Sequence, residues 1–483
     1  MSSTPASSLI CRVIAAWIGG LALAILLYRE GPLLSFDAFH YCEFAKAYRD
    51  SWPVAFGNHW PAGFPLLAGF MGWLGVPAYP ALCAIAVAAF TALVVLACNA
   101  LRTEKTALAV ALALACVPIV SEQMFAALSE LPFAAPWLGL GFALSLWPSR
   151  RGLWLAAGCA VLAVCLRYVG LLAIGVLWIW LAWQATELRA AHRLGHAFVA
   201  ASTATIVVSA LLLWNVVATG HLSGAGRGAE SLLGWKSLPQ HVAHFGWSAP
   251  SALMLGGLRD RVGTGSAMGL TLGWLACGTG AAVCALGWVR PAAAWVRPVA
   301  LITFAYGGGM ILLRTIGSFD ALYNARTFLP IAFPLGLILS TQGARQAPRL
   351  VVAGALLVTA AGVASAVRGH SRAIGGDVRP AVAILRPLLG PNDRIQVNEH
   401  AFTVGAYVRQ RTPQVWAEYW NDATTERFLV VAARSLDRNG SPDHLEQAWQ
   451  AIATRLVARG THRWLLQTDS LFVLECLTPR LVR

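Results

Sequence analysis

What most constrains this chain is a succession of apolar runs, each close to one membrane thickness long, separated by connections in which arginines come singly or in pairs. A helix rises roughly 1.5 Å per residue, so crossing a hydrocarbon core about 30 Å thick takes roughly 20 apolar residues. Eleven runs approach that length. The first six are Leu9 to Tyr28, Tyr79 to Leu101, Thr106 to Val120, Leu131 to Trp147, Gly152 to Leu166 and Val169 to Gln184. The other five are Ala197 to Val217, Ser266 to Trp288, Val296 to Leu313, Thr327 to Thr341 and Leu350 to Val367. Hydrophobic residues make up 57% and charged residues 12% of the chain, against roughly 45–50% and 25% in soluble proteins. That balance excludes a disordered chain, a coiled coil and an ordinary soluble enzyme. The first run is long, weakly basic at its start and followed by no small-residue cleavage site, so it is expected to be a span and not a cleaved leader.

Orientation follows from the basic residues, which favour cytoplasmic connections. With the N-terminus inside, those connections carry Arg102 with Lys105, Arg150 with Arg151, Arg189 with Arg193, Arg290 with Arg297 and Arg345 with Arg349. The opposite side receives the longer loops 29–78, 121–130, 218–265 and 314–326. Counting the apolar stretch Gly63 to Gly75 as a span would move Arg102 and Lys105 outside, so it is expected to lie along the outer interface. Eleven spans then put the C-terminal segment outside. The predicted fold class is a polytopic α-helical membrane protein, N-in and C-out, with amphipathic outer-loop helices.

The net charge of +14 comes almost wholly from Arg, with Lys only at 46, 105 and 236. Because these residues punctuate apolar runs, the charge reads as membrane topology and no nucleic-acid partner is expected. Eight of the ten Cys lie inside apolar stretches and none forms C-x-x-C, so they read as small core residues. After Arg368 charge rises and the apolar runs shorten to strand length: Ile395 to Asn398, Trp464 to Gln467 and Leu471 to Leu474. His444 to Arg459 has helical spacing, with Gly460 as a stop. Two domains are therefore expected, a membrane module over 1–367 and a small periplasmic α/β domain over 368–483.

The span centres hold almost no ionisable groups, which directs attention to the outer loops. In FDAFHYCEF, Asp37, His40 and Tyr41 share a helical face with Phe44 and Tyr48. Asp37 reads either as a helix cap with Ser35 or as a carboxylate presented at headgroup level. Glu43, three residues before Lys46, reads as half of a surface pair. In SELP, Ser129, Glu130 and Pro132 read as a helix start, or Glu130 as a second carboxylate at the depth of Asp37. Arg167 and Tyr168 lie between two long apolar runs. A guanidinium there snorkels or meets a phosphate, for which its planar fork is well shaped. The last outer loop adds Tyr323 and Arg326, the latter also legible as an interfacial anchor, and His59 lies in the first loop. The Gly-rich loop 218–265, with His241 and His244, has the look of a mobile cover. No HExxH, Walker or GxSxG sequence occurs.

Taken in order, these motifs resemble the polytopic glycosyltransferases of the C superfamily, which include protein O-mannosyltransferases and the lipid A aminoarabinose transferases. The resemblance runs over nearly the whole chain: FDAFHYCEF, WPAGFPLLAGFMGWLG, SELP, LRYVGLL and ARTFLP. It implies a sugar taken from a polyprenyl-phosphate carrier, with inversion, and attached to a lipid, glycan or protein acceptor outside the cytoplasm, in a bacterial-type inner membrane. It implies Asp37 as base, Glu130 as a second acid, and Arg167 and Arg326 as contacts to the carrier phosphate. His40, Tyr41, His59, Tyr168 and Tyr323 join them as substrate-binding candidates. This sequence departs from many members at Ala38, where they have a second acid. It departs from the aminoarabinose transferases at His59-Trp60, where they have an acidic-basic pair. Both departures leave a divalent metal an open question.

The residues themselves agree with that chemistry. As the sugar–phosphate bond breaks, negative charge grows on the leaving phosphate, and prepositioned Arg side chains stabilise that increment. The acceptor hydroxyl must lose a proton, and the phosphate leaves without needing one. A single base therefore suffices, with no metal demanded, unlike the paired carboxylates of glycoside hydrolysis. A lipid or small-molecule transporter or flippase stays as the alternative from another class, as does a member that only binds a lipid carrier.

Overall fold

In a computed structural model the described residues are 6–28, 36–50, 61–187, 191–222, 235–253, 266–316, 325–368 and 379–388, together with five strands beyond them. The helices are α1 (Ala6–Leu27), α2 (Phe36–Asp50), α3 (Gly63–Trp73), α4 (Ala78–Ala100), α5 (Ala107–Ala115), α6 (Pro118–Gln123), α7 (Glu130–Ser145) and α8 (Arg150–Leu166). They continue as α9 (Leu171–Glu187), α10 (Ala191–Thr219), α11 (Leu238–Leu253), α12 (Ala267–Val289), α13 (Val296–Ile316), α14 (Ala325–Gln346), α15 (Pro348–Arg368) and α16 (Arg379–Leu388).

Each predicted apolar run falls largely on helix, and among the described residues seven helices are long and apolar enough to cross a membrane. Their outer faces make the same point. On α1, Ile10, Ile14, Ile18 and Ile25 are 50–57% exposed, a helically spaced stripe of large apolar side chains that only lipid covers at low cost. The chain is a multi-pass membrane protein. One run differs from expectation: Thr106 to Val120 is not a continuous helix. It ends at Ala115 and restarts with Pro118 at the first helical position, because a proline lacks the N–H an uninterrupted helix needs and its ring disfavours helix at the residue before it.

The stretch expected to be a mobile cover, 218–265, is also different in its middle. Residues 238–253 form α11, which packs closely on α12. A Cβ at Gly246 would collide with the Gly273 carbonyl, and one at Gly273 with that of Ala243. Small residues on both helices let the backbones meet, the usual route to close packing in membranes. Residues 223–234 and 254–265 lie outside the described residues.

The bundle has two chemically different ends. Tyr28 donates to the Glu122 carbonyl at 2.8 Å and Tyr79 to the Phe125 carbonyl at 2.7 Å, so the end of α1, the start of α4 and the approach to α7 lie together. At the other end Arg12 reaches the Arg102 carbonyl at 3.2 Å. Gln342 and Arg345 likewise hold the carbonyls of Arg290 and Ala292. From Arg326 to Arg345 along α14 is about 28 Å at helical rise. Paired basic residues thus gather at the end opposite Asp37, Glu130, Arg167 and Arg326.

Beyond the bundle, β1 (Arg394–Val397), β2 (Trp416–Tyr419), β3 (Arg427–Ala433), β4 (Thr461–Gln467) and β5 (Leu471–Leu477) form one sheet in the order β2-β1-β3-β5-β4. β1 pairs parallel with β2 and β3, while β5 pairs antiparallel with β3 and β4. β4 and β5 cover two of the predicted strands and β1 covers the third up to Val397; Asn398 and the helix expected over 444–459 lie outside the described residues. α16 packs on β4 and β5, burying Ala381 and Leu385 one turn apart.

Candidate functional site

Four chain segments bring their charged residues to one end of the bundle. α2 carries Asp37 in its first turn, and its buried face of Ala38, Tyr41, Cys42, Ala45 and Tyr48 keys it to α3. α3 in turn starts hard against the end of α8, where a Cβ on Gly63 would sit 2.5 Å from the Cys165 carbonyl oxygen. There α8 stops. Arg167 adopts an extended backbone (φ −153°, ψ 136°), and residues 168–170 fold back as a short 3₁₀ turn. Gly170 passes so close to the backbone of Ala163 that a side chain would not fit. The extended residue turns Arg167 out of the helix and across to the start of α7.

That start is built unusually. Ala127 is buried with φ 52°, the left-handed region that a non-glycine residue enters at a cost of about 1–2 kcal/mol. Ser129 precedes α7 as its sequence promised, but its backbone (φ −83°, ψ −7°) is not the extended shape of a capping residue, and its side chain makes no cap. Glu130 opens the helix, its carboxylate on the positive end of the helix dipole.

The result is a continuous chain of contacts. Arg167 Nη1 lies 2.8 Å from Glu130 Oε1, and Arg326 Nη1 lies 3.6 Å from the same oxygen. Arg326 Nη1 also reaches Asp37 Oδ2 at 3.5 Å. On the other side, Arg167 Nη1 donates to Ser129 Oγ at 3.2 Å, and that hydroxyl shares a 3.0 Å hydrogen bond with the Tyr41 hydroxyl. Tyr41 and Asp37 are one turn apart on α2, so the chain closes into a ring. Glu130 is its hub. Only 10% of the Glu130 side chain is exposed, against 32% for Asp37. Among the described residues, the second oxygen of Glu130, Oε2, is buried without a hydrogen-bond partner.

Electrostatics follow this geometry. Burial alone would push the Glu130 carboxyl up, but the Arg167 and Arg326 guanidiniums outweigh it and hold the group below the usual carboxylate range. Burial acts to lower Arg167, and Glu130 more than reverses that, so its pKa is raised. The Tyr41 phenol is pushed up by burial and stays protonated. His40, stacked on Phe44 with ring centroids 6.1 Å apart, has its pKa pulled down by burial despite Asp37 and Glu43 nearby. One and two turns beyond Glu130, Phe133 and Trp137 pack with Tyr306 of α13 as an aromatic floor.

Of the residues singled out from sequence, Asp37, Tyr41, Glu130, Arg167 and Arg326 come together. His40 flanks them on α2, and Tyr168 accepts a hydrogen bond from Asn215 of α10 at 3.0 Å. Glu43 pairs with Lys46 at 3.5 Å, as its spacing predicts. His59 and Tyr323 lie outside the described residues. Ser129 as a partner of Arg167, and Tyr306 below, had no sequence signal of their own. Ser129 looked like a cap, and Tyr306 is one tyrosine within an apolar helix. Among the described residues no three His, Cys, Asp or Glu side chains gather as they would around a metal ion.

No family model and no curated protein matches this chain. Among solved structures it is similar to ArnT from Cupriavidus metallidurans bound to undecaprenyl phosphate, at 13% identity and a TM-score of 0.45, over 98% of each chain. It is likewise similar to the apo state of the same protein, at 12% identity and a TM-score of 0.46, over 97% of each chain.

Proposed function

We propose that this protein is a membrane glycosyltransferase that moves a sugar from a polyprenyl-phosphate carrier to an acceptor outside the cytoplasm, with inversion at the anomeric carbon. The observation that carries the reading is the convergence of Asp37, Glu130, Arg167 and Arg326 in one ring at the end of the bundle opposite the paired arginines. The charge of the two guanidiniums is matched by Glu130 and Asp37, and their planar donor forks are the groups that would receive an incoming phosphate. In the reaction, the bond from the anomeric carbon to the phosphate oxygen breaks, and its electrons stay on the polyprenyl phosphate. The acceptor oxygen bonds to that carbon from the opposite face, and its proton passes to Asp37. Arg167 and Arg326 stabilise the charge that accumulates on the leaving phosphate. Glu130 keeps both in place, which makes it an orienting acid and not a second base.

In this reading the ring lies on the extracytoplasmic side of a bacterial-type inner membrane, because the arginine pairs at the far end face the cytoplasm. Residues 1–367 form the transferase module, and residues 368–483 a second, extracytoplasmic domain. Ion-coupled transport calls for acids within the spans. The seven span-forming segments contain no Asp or Glu.

The test is turnover of labelled polyprenyl-phosphate sugars by membranes carrying the wild type or Asp37→Asn. The variant should lose about 10²–10⁴-fold in rate, the usual worth of a general base. Full retained transfer would remove Asp37 from that role, and accumulation of an unaltered substrate in vesicles would point to transport.

A further inference from the structure

We infer that Ser129 is a positioning residue that sets the rotation of the Arg167 guanidinium, so that its unused N–H edge is held ready for a phosphate. The inference rests on the transferase reading for the identity of that phosphate, but its geometry stands separately.

Three observations carry it. First, Ser129 occupies the residue before α7 yet does not cap it; its backbone is already helical and its hydroxyl is free to point elsewhere. Second, that hydroxyl, on a residue 1% exposed, lies between Arg167 Nη1 at 3.2 Å and the Tyr41 hydroxyl at 3.0 Å. Third, the nitrogen it meets is the same Nη1 that binds Glu130 Oε1 at 2.8 Å. A guanidinium has five N–H groups, two of them on Nη1. Ser129 and Glu130 both meet Nη1, the first as a hydrogen bond and the second as an ion pair, and among the described residues Nε and Nη2 of Arg167 make no hydrogen bond. With Glu130 alone the planar group would pivot about a single contact. The added contact to Ser129, itself braced by Tyr41 from α2, removes that freedom. It is the kind of preorganisation that favours a developing charge, because nothing needs to reorient as the charge appears.

The experiment uses the full chain in nanodiscs, with a long-chain polyprenyl monophosphate as probe. Two quantities are measured: binding of the probe, and the rate at which phenylglyoxal modifies Arg167, followed by peptide mass spectrometry. Ser129→Ala should weaken probe binding roughly tenfold, about one charge-assisted hydrogen bond, and speed modification of Arg167 severalfold. Ser129→Thr, which keeps the hydroxyl, should restore both. Unchanged binding and modification in Ser129→Ala overturn the inference. So do equal losses in the Ala and Thr variants with a lowered thermal midpoint, which mark a purely structural serine. If the wild type fails to bind the probe while Ser129→Ala still exposes Arg167 to modification, the positioning role is supported and the carrier reading falls.

Discussion

At the residue scale, Glu130 decides how the site is held. Its charge is shared by two guanidiniums, so Glu130→Gln should cost about 2–3 kcal/mol. That is less than the roughly 3–5 of a fully buried pair, because Arg167 and Arg326 keep 28% and 32% of their side-chain surface exposed. Since the Glu130 pKa is depressed by folding, the carboxylate contributes stability above its unfolded value, ordinarily 4.5. That contribution is lost as pH falls through the lower folded value. The gap in Tm between wild type and Glu130→Gln should therefore be widest near pH 7 and close as pH drops below about 4.5; a gap that persists in acid would show that the charge is not what stabilises. Asp37, Glu130, Arg167 and Arg326 were all legible as candidates, since charged residues beside apolar runs stand out. Their pairing was not. Sequence reasoning centred the site on Asp37 and Arg167, yet the two meet through intermediaries, Glu130 and Arg326 on one side and Ser129 and Tyr41 on the other.

At the scale of elements, the site depends on two helix ends meeting where no side chain fits. Gly63 opens α3 against the last turn of α8, and the atom a Cβ would strike is a backbone carbonyl that cannot swing away. Gly63→Val should separate α3 from α8 and displace Arg167, lowering transfer at least tenfold while the bundle still inserts. Rates at saturating donor, measured beside thermal midpoints, check this. Unaltered transfer would mean that α3 does not set the position of Arg167. The helices themselves were readable from apolar length. The break before Pro118 and the packed α11 were not drawn from it, because a window of average hydropathy is blind to one proline and to glycines that work only against a neighbouring helix.

At the scale of the whole molecule, the two ends of the bundle carry opposite roles, one crowded with arginine pairs and the other with the closed ring. The orientation this implies is testable with single cysteines in a cysteine-depleted background. Cysteine at Arg151 should react with a membrane-impermeant thiol reagent only after the membrane is opened, and cysteine at Leu222 in intact cells. The reverse pattern would put the ring on the cytoplasmic side and defeat an extracytoplasmic transferase.

The amino-acid sequence alone determined that this chain lives in a membrane, where most of its helices run, and which few ionisable groups stand at their ends. Those follow from local physics: apolar length against bilayer thickness, and the cost of an unpaired charge in hydrocarbon. Only the tertiary structure decided that one carboxylate oxygen serves two arginines, and that a serine with a capping signature turns away to steady one of them. Such choices depend on which residues 37 to 289 positions apart come within 2.8–3.6 Å, a distance that no local pattern encodes.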